Sequence, residues 1–360
     1  MKKLVLNLMF LSLGLAGLSQ GRVGIPGSQV RKIVSNIVSG QEYELQVLLP
    51  RGYEKENKKY PVIYLMDSQW DFPLVTSIYG QQYFDGFVPE LIIVGINWGG
   101  TNPNHDSLRA RDYTPTHESY LPQSGGAEKF LGFMRNELFP YIESNFKADS
   151  KRRVMMGCSF GGLVTLYALF TQPQMFSGYV AASPAVGWNR ESIYQFEKAF
   201  AEREHDSLRL YITVGDVERS RFGFEKFSAH LRSRNYKGLS VHSRVLENTG
   251  HSGTKTETYT RGLQYIFQRP QLLLADEVLN RYTGSYRFAN GNKVEIRKQH
   301  GRLILYFAEN EQYPLFANAE TEFYSLSEYL KLRFIPQDPA SFQLETFNGT
   351  QILTKTHLEQ

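Results

Sequence analysis

Gly157-Cys158-Ser159-Phe160-Gly161-Gly162 carries residue types suited to nucleophilic acyl transfer. A serine flanked by glycines in the pattern G-x-S-x-G fits a nucleophile elbow. The turn is tight enough to expose the serine oxygen, and the next N–H faces the point where an oxyanion would form. Glycines on either side let the flanking elements approach without Cβ clashes. A serine hydroxyl is a weak nucleophile, so it needs a base, an acid to orient that base, and donors for the oxyanion.

The elements around the motif are those an elbow requires. Arg153-Val154-Met155-Met156 reads as a short buried strand, and Leu163-Val164-Thr165-Leu166-Tyr167-Ala168-Leu169 as a helix. Further strands are expected over 41–50, 61–66, 91–96, 179–182, 208–214 and 241–246. The runs at 61–66 and 91–96 are apolar throughout, as in strands buried on both faces. The charged stretch Glu54 to Lys59 reads as an exposed hairpin tip. Phe130, Met134, Leu138 and Ile142 recur at helical spacing, and helices are expected over 225–232 and 258–267. Strands alternating with helices give βαβ units and a mostly parallel sheet; the elbow within them marks the expected fold as that of an α/β-hydrolase. After Arg269-Pro270 the pattern changes to short alternating runs punctuated by Asn290-Gly291, His300-Gly301 and Asn348-Gly349, which read as hairpin turns. The expected organisation is a leader over 1–20, a hydrolase domain over 25–270 and a small all-β, barrel-like domain over 277–357.

In this fold the chain order is serine, acid, histidine. His251 lies just after the strand ending at Leu246 and before the closing helix, the loop where the base belongs. Two carboxylates compete for the acid. Asp216 and Glu218 both follow the strand 208–214, at the edge where ligands gather in open α/β sheets. The spacing of three residues from Gly215 favours Glu218, with Asp216 as the alternative; Glu247, or no acid at all, completes the set. The N–H of Phe160 is one oxyanion donor. A second is expected from the loop Met66-Asp67-Ser68-Gln69-Trp70 after the first central strand. Arg109, Arg111, Arg190, Arg219 and Arg221 are expected in loops near this edge, with Trp70, Trp98, Trp188 and Tyr79 as aromatic partners. Such a mouth would suit an anionic aromatic ester. Alternatively, the arginines are merely solvated and Trp188 packs under the elbow.

Tyr64-Leu65-Met66-Asp67, Arg111-Asp112-Tyr113-Thr114-Pro115, the elbow itself and Ser183-Pro184 resemble the putative-esterase family. That family includes siderophore, feruloyl and acetyl-xylan esterases, S-formylglutathione hydrolases and mycolyltransferases. The resemblance covers roughly residues 30 to 270. It implies a serine hydrolase, and it implies the N–H of Gln69 as the second oxyanion donor. Residues 278 to 356 resemble a small β domain appended to secreted serine hydrolases. The implied activity is hydrolysis of a small-molecule or glycan ester through an acyl-enzyme on Ser159. An acyltransferase would use the same triad, and a silent binding homologue would keep the same fold.

Composition narrows the setting. A formal net charge of +4 includes Lys2 and Lys3, too little to argue for nucleic-acid or membrane-surface binding. The basic start followed by the apolar run Leu4 to Ala16 resembles a secretory leader, cleaved near 17 to 21. A periplasmic or extracellular location without a membrane anchor is expected from it. Cys158 is the only cysteine, so no internal disulfide is available. No metal-binding or cofactor motif is present in the sequence, and none is expected to be needed.

Overall fold

The computed structural model describes residues 24–335 and 338–356; the expected leader lies outside them. Eight strands form the main sheet: β1 (Ser28–Ser35), β2 (Gln41–Leu48), β3 (Tyr60–Leu65), β4 (Ile92–Trp98), β5 (Ala148–Cys158), β6 (Gly178–Ala182), β7 (Leu208–Gly215) and β8 (Leu239–Leu246). Their spatial order is β1-β2-β4-β3-β5-β6-β7-β8. The β1–β2 and β2–β4 pairs are antiparallel, and the strands from β4 through β8 run parallel. The segment 54–59 is therefore not a hairpin tip. β2 pairs with β1 and β4, while β3 lies beyond β4, so this segment belongs to a crossover.

Alternation along each strand divides the core into two layers. In β3, Val62 and Tyr64 join one cluster, and Ile63 and Leu65 join the other. Two helices, α1 (Ser68–Phe84) and α5 (Thr254–Ile266), cover one face through Phe72, Val75, Tyr259 and Leu263. The other face is covered by α2 (His105–Tyr113), by the helical stretch 127–145, by α3 (Phe160–Thr171), by Ile193–Ala201 and by α4 (Arg221–Ser233). Every residue of β3 and β6 is buried, as expected where both faces of a parallel sheet are covered.

A second, wholly antiparallel sheet follows. Its nine strands are β9 (Gly284–Arg287), β10 (Lys293–Gln299), β11 (Arg302–Ala308), β12 (Glu311–Pro314), β13 (Phe316–Ala319), β14 (Glu322–Tyr324), β15 (Leu330–Ile335), β16 (Asp338–Thr346) and β17 (Gly349–Lys355). They are ordered β12-β11-β10-β9-β17-β16-β15-β14-β13. The edge strands β12 and β13 are separated in the chain by Leu315 alone, so the two edges lie within about 7 Å of each other there. The sheet must curl on itself, and it closes around its own core of Tyr286, Leu305, Phe334 and Phe342. No helix among the described residues is long and apolar enough to cross a membrane.

Candidate active site

β5 delivers Ser159 to the carboxyl edge of the sheet. Its backbone sits at φ 60°, ψ −117°, a conformation a non-glycine residue adopts only when its surroundings enforce it. The enforcement is local. The Ser159 N–H donates to the Ala182 carbonyl at 3.0 Å, and the Ser159 carbonyl accepts from the N–H groups of Leu163 and Ala185. A Cβ at Gly157 would lie 2.5 Å from the Gly161 carbonyl carbon, so only glycine permits this strand and helix to meet. The N–H of Phe160 has no acceptor among the described residues. Cys158 is buried, and burial pushes its thiol up to about 12, which keeps it protonated and unreactive.

The loop after β3 supplies the facing wall. Asp67 adopts φ 55° and starts α1; its carbonyl accepts from the N–H groups of Trp70 and Asp71. The N–H groups of Ser68 and Gln69 are left without acceptors among the described residues, as the first turn of a helix leaves them. The buried Asp67 carboxylate is gripped by Arg109, Nε to Oδ1 at 2.6 Å and Nη2 to Oδ2 at 3.0 Å. Arg109 Nη2 also donates to the Cys158 carbonyl at 3.4 Å. One guanidinium thus joins the loop carrying Gln69 to the strand carrying Ser159.

His251 stands on the loop between β8 and α5. Its Nδ1 lies 2.7 Å from Glu218 Oε2, and the imidazole remains about half exposed. Glu218 is nearly covered, and its two oxygens are heavily used. Oε1 accepts from Ser183 Oγ at 2.5 Å and from the Gly215 N–H at 2.8 Å; Oε2 also accepts from Ser220 Oγ at 3.1 Å. Burial works to raise the Glu218 carboxyl, but the bonds from Ser183, His251 and Gly215 outweigh it and hold the group below the usual glutamate value. A carboxylate only accepts, so Nδ1 carries the proton and Nε2 is left as the basic nitrogen. Asp216 does something else. Its Oδ1 accepts from the Thr249 N–H at 3.0 Å and so tethers the histidine loop. A Cβ on Gly215 would fall 1.9 Å from the Thr249 carbonyl oxygen, so this glycine lets the loops carrying acid and base touch. Among the described residues Ser159 Oγ and His251 Nε2 form no hydrogen bond, an open geometry common before substrate binds.

The remaining expected contacts separate into two groups. Trp70 is exposed, and Arg109 lies over its ring and over that of Phe160. Trp188 is buried, packs edge-on against Phe160 with centroids 5.1 Å apart, and donates from Nε1 to Thr116. Arg111 is committed to Asp112, whose other bonds come from Tyr43 and the buried Trp98. Tyr79 is buried, its hydroxyl accepting from the Leu91 N–H. Trp98 and Tyr79 therefore belong to the core rather than to the mouth. Val217, Phe222 and Tyr120 are exposed instead, the first two beside the Glu218 loop and the third against Trp188. From sequence, Ser183 has no role beside the acid and Arg109 belongs at the mouth; the structure instead bonds Ser183 to Glu218 and Arg109 to Asp67. Among the described residues no cluster of His, Cys, Asp and Glu could hold a metal ion.

Residues 35–267 match the model of the family described as Putative esterase. Over 210 residues the chain is 32% identical to the ferri-bacillibactin esterase BesA of Bacillus subtilis, covering 54% of this chain and 72% of that one. Over 189 residues it is 33% identical to the siderophore triacetylfusarinine C esterase of Aspergillus fumigatus, covering 50% of this chain and 65% of that one, slightly under two thirds. The solved structure of an IroE-like serine hydrolase from Shewanella oneidensis superimposes with a TM-score of 0.61 at 25% identity, covering 71% of this chain and 85% of the other.

Proposed function

This chain belongs to the Putative esterase family and is a carboxylic ester hydrolase, and on that premise we propose that Ser159, His251 and Glu218 carry its reaction. The observation that carries the reading is the 2.7 Å bond between His251 Nδ1 and Glu218 Oε2, with Nε2 left basic on a loop at the elbow's edge of the sheet. His251 Nε2 takes the Ser159 proton as Oγ attacks the ester carbonyl. The negative charge that develops on the carbonyl oxygen is held by the N–H groups of Phe160 and Gln69, each worth about 10²–10³ in rate. Glu218 stabilises the imidazolium, which then protonates the departing alkoxide. Water, deprotonated by the same Nε2, releases the acid from Ser159 and restores the enzyme.

The substrate proposed is a siderophore ester. One relative is named a ferri-bacillibactin esterase and another a siderophore esterase, and the exposed Trp70, Phe222 and Tyr120, with Arg219 and Arg221 just before Phe222 in the chain, suit an aromatic, anionic molecule. Feruloyl and acetyl-sugar esters are the comparison substrates. Export to the periplasm or the exterior is proposed from the leader-like N-terminus. The test is Ser159→Ala: turnover of a p-nitrophenyl ester and of a siderophore ester falls to background while circular dichroism is unchanged. Retained turnover in that variant removes Ser159 from the mechanism.

A further inference from the structure

Asp71 is a buried carboxylate that the proposed mechanism does not use. It lies in the first turn of α1, two residues beyond Gln69, and its N–H donates to the Asp67 carbonyl at 3.2 Å. Its side chain crosses to α5. Oδ1 accepts from Lys255 Nζ at 2.6 Å, and Oδ2 accepts from the Tyr259 hydroxyl at 2.7 Å. Lys255 and Tyr259 are four residues apart, so one face of α5 presents both donors. Burial, and then the Asp71 charge, push the Tyr259 phenol well above its usual value and keep it a proton donor.

The bridge spans the elbow strand. α1 packs on β3 and β4, α5 packs on β6 and β7, and β5 runs between β3 and β6. After burial, the charges of Lys255 and Asp71 are the next largest influences on the thiol of Cys158, the residue before the nucleophile. On the α5 side the bridge reaches the base. Thr254, next to Lys255, donates from Oγ1 to the His251 carbonyl at 2.7 Å, and its hydroxyl meets Ser183 Oγ at 3.0 Å. On the α1 side it reaches the turn that carries Gln69.

Helix packing does not require the bridge. Phe72, Val75, Tyr259 and Leu263 already hold the two helices to the sheet, and Gln264 donates to Gln82 near their far ends. A buried ion pair adds little net stability, because desolvation offsets the attraction. Two donors on one carboxylate instead fix the relative placement of the elements that bear them. Misplacing a reacting group by about 1 Å can cost about 10²-fold in rate.

We propose that Asp71 is a positioning residue that locks the helix opening with the Gln69 N–H to the helix following His251, so that oxyanion donor and base keep one spacing about the ester carbonyl. The proposal rests on the reading of Gln69 and His251 in those roles.

The test compares Asp71→Asn, Lys255→Met and Tyr259→Phe in the full chain. It reads melting temperature, and kcat and KM with a p-nitrophenyl ester well below that temperature. Asp71→Asn lowers kcat about thirtyfold and each partner variant about fivefold, with KM within about twofold of wild type. Tyr259→Phe costs less in the Asp71→Asn background than alone, because its partner is already altered. Gln264→Leu, at the far end of the same helix pair, lowers the melting temperature only. If Asp71→Asn does not fold, Tyr259→Phe decides, since it leaves the ion pair in place. Wild-type kcat in Tyr259→Phe, a loss confined to KM, or an equal loss of kcat in Gln264→Leu overturns the inference. Ser159→Ala, run alongside, separates the two claims. Turnover retained there removes the mechanism and the positioning role together, whereas background turnover there with wild-type kcat in Tyr259→Phe removes the positioning role alone.

Discussion

Two carboxylates follow the same strand, and their hydrogen bonds separate their duties. Glu218 meets the His251 ring, while Asp216 meets the backbone of the histidine loop. Spacing favoured Glu218, but two side chains at one strand end cannot be told apart by sequence alone. The turn decides, through the Glu218 N–H bonded to the Gly215 carbonyl at 3.2 Å. Glu218→Gln should therefore lower kcat by about 10³–10⁴, because an amide permits the wrong imidazole tautomer. Asp216→Asn keeps an acceptor for Thr249 and should cost about tenfold or less in kcat. Equal losses in the two variants would contradict the assignment. The same bonds give a pH signature. The Glu218 carboxyl is lowered on folding, so its stabilisation is fully present above the unfolded glutamate value and is lost as pH falls through the folded value. Denaturant titrations from neutral to acid pH should show Ser183→Ala losing its part of this stabilisation at higher pH than the wild type, since one bond that lowers the carboxyl is gone. Superimposable curves would show that Ser183 does not act on Glu218.

Among the elements, the elbow was legible because its glycines answer a steric demand that can be read from residue types. The loop after β3 was legible only as a loop. It is in fact the start of α1, a helix whose Pro73 and Gly80 argue against helix on local preference. Burial of Phe72, Val75, Ile78 and Tyr79 against the sheet outweighs that preference. The helix start frees the N–H of Gln69, and the Arg109–Asp67 pair fixes that start beside the elbow. No local pattern announces a pair spanning 42 residues. Arg109 is accordingly a positioning residue. Arg109→Lys keeps the charge but loses the two-pronged grip, and kcat should fall about tenfold with KM little changed. A rise in KM at constant kcat would instead mark Arg109 as a substrate contact.

For the molecule as a whole, the change from helical to alternating pattern after Arg269-Pro270 correctly announced a second, all-β sheet with its own core. What the pattern could not convey was how the sheets meet. Phe347 packs on Tyr83 and Phe84 of α1, the Tyr329 N–H donates to the Phe84 carbonyl at 2.8 Å, and Arg51 lies over the Phe347 ring. These contacts join residues distant in the chain, and aromatic composition alone did not locate them. They lie far along α1 from the catalytic loop. Phe342→Ala, in the centre of the second core, should cost about 3–5 kcal/mol of stability in that sheet and leave kcat/KM unchanged below its transition. A parallel loss of kcat/KM would tie the second sheet to catalysis.

We propose Ser159 as the nucleophile of this esterase. The most direct measurement of this is labelling with a fluorophosphonate, followed by intact mass and peptide mapping. One adduct per chain, on Ser159, with ester turnover lost in proportion to labelling, is the predicted result. Full turnover without an adduct, or an adduct on another residue that tracks the loss, would contradict it.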